Sequence, residues 1–377
     1  MNRRFLSMAA AAVMLASISV APVTAEAPAI ASMSALAFAP DGTLFVGDGK
    51  GGALFALAVE SDESGDPTAR ISVQDIEGKI AAALGTTADR IMIHDMAAHP
   101  KTHEVYLAVS RGRGKWITRW LLPNDIADAD ILLRIQADGA IREVSLDGIE
   151  FSRAELPNPV DPTKTHRWKE GISLRADTIT DLAYVDGTVF VAGLSNEEFA
   201  STMWKMSYPF GDRATATTLE IFHGAHGAFE THAPIRTFVP YELGGKAHLL
   251  ASYLCTPFVT FPVDELQPGK HLKGRTIAEF GSGNYPLDMV LYQKNGKDRL
   301  LIANSNLPLM IVDTDAIEAF EGELLEEPDS YTAGLSYEAR SGTGVQQLDL
   351  LSPAYFVALQ RLPGGTLDLV SLDVRRF

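Results

Sequence analysis

The stretch SALAFAPDGTLFVGDG, residues 34 to 49, reads as two short strands joined by a tight turn. Apolar residues flank Pro40-Asp41-Gly42, and an Asp-Gly pair between such runs is a hairpin signal, because it suits the backbone conformations of a two-residue turn. The form returns five times: HDMAAHPKTHEVYLAVSRG (94 to 112), TDLAYVDGTVFVAGLSN (180 to 196), IRTFVPYELGGKAHLLASYLC (235 to 255), LDMVLYQKNGKDRLLIANSN (287 to 306) and VQQLDLLSPAYFVALQRLP (345 to 363). A third apolar run follows each pair: ALFALAV, ADILLRI, STMWKM, TPFVTFPV, PLMIVD and TLDLVSL. A fourth follows in units one to four: ARISVQDI, AIREVSL, TTLEIF and RTIAEF. The fourth strand of unit five falls within 329 to 340, and unit six ends after its third strand. The segment APAIASM, 27 to 33, is expected to supply the missing strand beside TLDLVSL.

Six four-stranded units sharing a last sheet predict an all-β, six-bladed β-propeller closed by an N-terminal strand. A seven-bladed ring, with a blade hidden in 113 to 177, is the alternative. Helical periodicity is confined to VQDIEGKIAAALG, 73 to 85. The units resemble those of six-bladed propellers at large, the class that holds gluconolactonase-like and NHL-like proteins. That resemblance covers the chain after residue 25 through its blade pattern, and it implies a fold rather than a function. In gluconolactonase-like propellers an Asn at the end of a B strand binds metal, and Asn196, Asn304 and Asn306 stand at such ends here. The Glu such a site takes from the first inner strand has no counterpart, since Ser34 and Ala35 stand there.

The opening MNRRFLSMAAAAVMLASISVAPVTA has the basic start, short apolar run and A-x-A-like end of a secretory signal. It predicts a signal peptide over 1 to 25 and one propeller domain over 26 to 377, with insertions at 113 to 129 and 150 to 177. The protein is then periplasmic or secreted, with no membrane span in the mature chain. The formal charge is −16, and the signal holds two Arg and no acid, so the mature chain stands at −18. An acidic surface repels phosphates, which argues against nucleic acid and anionic membranes as partners. One cysteine, Cys255, excludes an internal disulfide, and its apolar setting LLASYLCTP reads as a small buried residue. The terminal VRRF lacks the alternation of an outer-membrane barrel strand.

In a four-stranded blade the A–B turns lie on one face, and the B–C and D–A connections on the other. The long segments all fall on the second face, the end where a rigid scaffold usually carries its binding residues. Aligning the starts of the A strands gives a column of Asp95, Asp181 and Asp288, with Arg236 in unit four and Gln347 in unit six. Asp in this place can hold calcium, or zinc and iron when His joins it. It can equally cap backbone N–H groups of the neighbouring blade. HGAHGAFETHAP, 223 to 234, holds His223, His226 and His232 on the same face, and H-x2-H spacing suits a metal. His232, His94 and Asp95 are the candidate catalytic groups, since His suits proton transfer near neutral pH. His94, His226, His232, Asp181 and Asp288 are the candidate ligands of a divalent metal. Arg111, Arg113, Arg236, Asn196, Tyr253 and Asn304 are the candidate substrate contacts. Trp116, Trp120 and Trp168 on the inserts could form a lid or an interaction surface.

These residues support three functions. The first is a metal- or His-assisted hydrolase or lyase of a small organic substrate, with a polar pocket at the loop-rich mouth. The second is a non-catalytic propeller that binds a small-molecule ligand or a protein on that face. The third is a quinone-cofactor dehydrogenase, for which only the basic and aromatic segment from Arg111 to Trp120 offers a sandwich.

Overall fold

A computed structural model describes residues 27–59, 64–111, 130–166 and 169–377. The expected signal peptide, the insertion at 113 to 129, Arg113, Trp116, Trp120 and Trp168 lie outside the described residues. The rest forms a six-bladed propeller, and each hairpin seen in the sequence is the inner pair of one blade. The Asp-Gly and Asn-Gly turns fold as their residues demand. Asp186 and Gly187 have φ of 46° and 78°, and Asn295 and Gly296 have 55° and 75°, the left-handed pairs of a hairpin with a two-residue loop.

The inner strands are Ala35–Phe38, Ile91–Ala98, Asp181–Val185, Thr237–Leu243, Pro286–Lys294 and Val345–Ser352, and they number blades one to six. Their order around the channel is not their order in the chain. The inner strand of blade one touches those of blades two and three, and that of blade two touches that of blade six. The ring therefore runs one, three, four, five, six, two. Six apolar clusters confirm this, one at each junction. Blade one packs on blade two through Phe55, Tyr106 and Leu132, and on blade three through Phe45, Val191 and Trp204. Blade six packs on blade two through Val357, Leu369, Val109 and Leu133.

The outer strands differ from the sequence expectation accordingly. The fourth strand of blade one is Phe151–Glu155, which pairs with Ala53–Ala58 after the chain has already built blade two. The run ARISVQDI, expected to be that strand, gives Ser72–Val73 to blade six instead, with Val73 opposite Leu369. Residues 27 to 33 do not pair with the last sheet. They bind over the mouth, where the Ala31 N–H and Ser32 hydroxyl donate to Asp48 at 2.9 and 3.0 Å and the Met33 N–H donates to Asp130 at 2.6 Å. Closure by an early strand is thus observed, but the strand lies some forty residues later. The helical pattern appears as the helix Ile76–Ala83, whose first turn is capped by Asp75 and whose Ile76 and Ile80 plug the junction of blades six and two.

If Ser72–Val73 closes the ring, Val73, which is 0 % exposed, carries packing that a surface valine does not. Val73→Ala should lose about 2 kcal/mol of stability, the order expected for a buried Val side chain. It should also speed hydrogen exchange at Leu369. The exposed Val185→Ala should stay within about 0.5 kcal/mol of the parent. Denaturant unfolding and exchange mass spectrometry measure both.

Candidate ligand pocket at the channel mouth

All six inner strands begin at the loop-rich end, and their first residues surround a cavity of about 570 Å³. Three of these strands carry an irregularity in register at that end, at His94, Leu287 and Gln346. A bulge there turns a side chain out of the sheet alternation, and all three residues line the cavity. The other walls include Lys50, Ser110, Asp130, Asp177, Arg236 and the three Asp of the aligned column.

Those three acids have a structural task. Asp95 Oδ2 accepts the Leu36 N–H of blade one at 2.6 Å, Asp181 Oδ2 the Phe238 N–H of blade four at 2.8 Å, and Asp288 Oδ2 the Leu348 N–H of blade six at 2.7 Å. In each, Oδ1 accepts the N–H of the following residue at 2.8 Å. The capping role is the one observed. A fourth member escaped the alignment: Asp349 Oδ2 accepts the Ala98 N–H of blade two at 2.7 Å. The blade-six position aligned with them, Gln347, instead donates to the His94 carbonyl at 2.9 Å. Its Oε1 is buried without a partner.

Burial dominates the charge state of these carboxyls. It raises Asp95 to about 8, helped by the charge of Asp181, raises Asp181 to about 7 and Asp349 to about 6, and lifts Asp288 well above the usual range. Burial also lowers His94, against the opposing pull of Asp130, and favours the neutral ring. His94 Nε2 is 2.9 Å from Ser110 Oγ and 3.9 Å from Asp130 Oδ1. On the opposite wall Asp177 lies between His166 at 3.1 Å and Arg236 at 3.9 Å.

The remaining candidates scatter. His232 is exposed, its Nδ1 lies 2.8 Å from Thr231 Oγ1, and it does not line the cavity. His226 sits with His223 against Glu230, away from His94 and the column. Arg111 is tied through Nη1 to the Leu84 carbonyl at 3.1 Å. Tyr253, 1 % exposed, belongs to the core between blades three and four. Asn304 accepts from Asn284 at 3.1 Å and so ties the loop before the inner strand of blade five, while Asn196 is exposed. Of the expected site, the structure gathers His94, Asp95, Asp181, Asp288 and Arg236. It adds Ser110, Asp130, Asp177 and Gln347, of which sequence spacing marked only Gln347.

No protein-family profile matches the chain, and no curated protein matches it. Solved structures of similar fold are propellers of distant sequence. The extracellular domains 1–2 of Drosophila Semaphorin 1b are 10% identical, covering 94% of this chain and 87% of that one, with a TM-score of 0.36. YCF48 from Cyanidioschyzon merolae is 12% identical over 92% of this chain and 98% of its own, at 0.38. The Plexin A4 extracellular region is 8% identical over 94% of this chain and 40% of its own, at 0.39. No helix among the described residues is long and apolar enough to cross a membrane.

The raised carboxyls fix the sign of a pH effect. Between the ordinary value of 3.8 and about 8, the folded protein holds a proton on Asp95 that the unfolded chain has released. Stability therefore falls as pH climbs through that window, by up to about 1.4 kcal/mol per pH unit for each such group. The melting temperature should drop from about pH 5 to about pH 8. Asp95→Asn, which cannot ionise, should flatten the slope. A melting temperature that rises over this range would exclude protonated Asp stitches.

Proposed function

We propose that the protein is a non-catalytic binding propeller that takes a small, hydrophilic, donor-rich ligand, an amine or a polyhydroxylated molecule, in the mouth cavity. The observation that carries this reading is the buried, unpartnered Gln347 Oε1 beside a polar space of about 570 Å³. A buried acceptor without a partner is costly, and a ligand N–H or O–H relieves that cost. Asp130 and Asp177 add further acceptors on two walls, and the acidic chain favours a cation.

The hydrolase reading has less support. A Ser–His–Asp relay needs the carboxylate on the ring nitrogen opposite the hydroxyl. Here Ser110 and Asp130 both face His94 Nε2. The Asp column is engaged with backbone N–H groups, and His232 does not reach the cavity. One further observation favours a protein partner on the same end: Leu254, Tyr285, Leu287 and Tyr331 near blades four and five are 39, 45, 37 and 54 % exposed. Exposed apolar side chains on one end of a scaffold suit an interface.

A thermal-shift screen of small amines, sugars and amino acids tests the proposal. A true ligand at a hundred times its Kd adds about 2.7 kcal/mol to stability. Its affinity should fall at least tenfold with Gln347→Met or Asp177→Asn, each of which removes an acceptor from the wall, and mass spectrometry should recover it unchanged. Chemical conversion of the ligand would favour the hydrolase reading. A hit insensitive to both cavity variants would move binding off the mouth.

A further inference from the structure

A second cluster lies outside the channel, at the junction of blades three and four. His223 ends the fourth strand of blade three, Thr215–His223, and His226 lies in the turn that follows. The short strand Ala228–Glu230 then folds back antiparallel on the end of the first. The two rings stand 3.8 Å apart between centroids. Glu230 takes both of them, with Oε2 2.8 Å from His223 Nδ1 and Oε1 2.6 Å from His226 Nδ1. An ionised carboxylate only accepts, so each Nδ1 carries the proton and each Nε2 keeps its lone pair for another partner. His223 is 3 % exposed, and its Nε2 is buried with no hydrogen-bond partner.

Blade four brings the third donor. Cys255 and Thr256, in the turn between Lys246–Ser252 and Pro257–Pro262, have φ of 63° and 62°. Two consecutive non-glycine residues in the left-handed region are uncommon, and such a backbone persists only where the surrounding structure holds it. The turn is held by Thr256, whose hydroxyl donates to the Gly281 carbonyl at 3.1 Å and whose carbonyl accepts the Phe280 N–H at 3.1 Å. This backbone sets the half-buried Cys255 so that its Sγ and one nitrogen of each imidazole lie within 4.8 Å of one another. Glu279 closes the cluster from blade four: its Oε2 accepts the Ala225 N–H at 3.4 Å, and its Oε1 is buried without a partner.

We propose that His223, His226 and Cys255 bind a zinc-class transition ion, with Glu230 holding the two imidazoles in ligating orientation. Two nitrogens and a thiolate suit zinc or copper and not calcium or magnesium, which take oxygen. Metal-bound His commonly donates its other N–H to a carboxylate, which fixes tautomer and ring plane. Here one carboxylate does this for both rings. Zinc–nitrogen bonds near 2.0 Å and zinc–sulfur bonds near 2.3 Å put donors roughly 3.5 Å apart across a tetrahedron, so modest rotation of the accessible Cys255 and His226 side chains completes the shell. Three protein ligands leave a fourth position for water or an external ligand. Binding displaces the thiol proton to solvent, since the thiolate is the ligand. This site is independent of the mouth cavity.

Chelator-stripped full-length protein should take up one equivalent of Zn(II), followed by competition with a chromophoric chelator. Co(II) in its place should give a thiolate-to-cobalt charge-transfer band. Cys255→Ser should abolish the band, and Cys255→Ser and His226→Ala should each cost at least tenfold in zinc affinity. Glu230→Gln should weaken zinc by about 10–100-fold while keeping the band. His232→Ala should change neither. Zinc-free melts of each variant check folding. Should a variant fail to fold, the Co(II) spectrum of the unsubstituted protein decides alone, because the chain has a single cysteine. No stoichiometric zinc uptake, no thiolate band, or zinc affinity unchanged in Cys255→Ser and His226→Ala overturns the proposal.

Discussion

Four aspartates hold the ring in register. Sheet pairing crosses between blades at the outer edge, as where His271–Lys273 of blade four runs parallel to Thr215–His223 of blade three, but not between the described inner strands, where apolar packing alone would let neighbours slide. Asp95, Asp181, Asp288 and Asp349 remove that freedom, each by accepting one N–H from its own strand and one from the next blade's inner strand. They run in one direction around the channel, from three to four and from five through six and two to one. The junction of blades four and five uses Tyr241, whose hydroxyl is 3.2 Å from Asp298, and that of one and three uses Arg175, which donates to the Lys50 carbonyl at 2.8 Å. Asp95, Asp181 and Asp288 also line the mouth cavity, so three of the residues that fix the ring form its floor as well. Burial pushes these carboxyls up, to about 8 at Asp95 and about 7 at Asp181, so the floor carries less negative charge at neutral pH than its acids would bear in water.

The inner half of every blade was legible in the sequence. A hairpin with a tight turn is a local signal, and the second strand of each blade carries a run of consecutive buried residues, so its apolar pattern is strong. The outer strands were not legible to the same degree. Ser72–Val73 pairs through two residues, and its run reads equally well beside its own hairpin or beside a blade made almost three hundred residues later. Which edge it joins depends on where blade two sits, and no local pattern records that. Asp349 escaped the column because it stands two residues further along its strand than Gln347, opposite Val357 rather than Leu359. Counting from the strand's start then lands on Gln347.

The histidine-rich stretch divided in an instructive way. H-x2-H spacing correctly joins His223 to His226, because a strand end followed by a single turn of helix brings both rings to one carboxylate. His232, fixed before Ala233-Pro234, is exposed and outside the cavity lining, and was attractive only through its place in the chain. Cys255 was hidden for the opposite reason. Its apolar neighbours suggest a core position, but two left-handed residues turn it out of the strand towards the next blade. Backbone strain of this kind has no signature in a stretch that lacks glycine and asparagine.

The interlaced start of the chain sets an order of events. The Ile71 N–H meets the Ser371 hydroxyl across 300 positions of sequence. Blade six therefore presents a bare outer edge until a segment near the front of the polypeptide returns to cover it, and blade one waits in the same way for Phe151–Glu155. Contacts so distant in sequence demand the largest loss of chain freedom before they yield any stabilisation. During that interval two sheet edges are open to pairing with other molecules, the situation that favours aggregation and strand exchange. Ser72 and Val73 thus act as a latch that ends the period of exposure. The assembled ring has no plain seam at which the two ends of the chain simply meet.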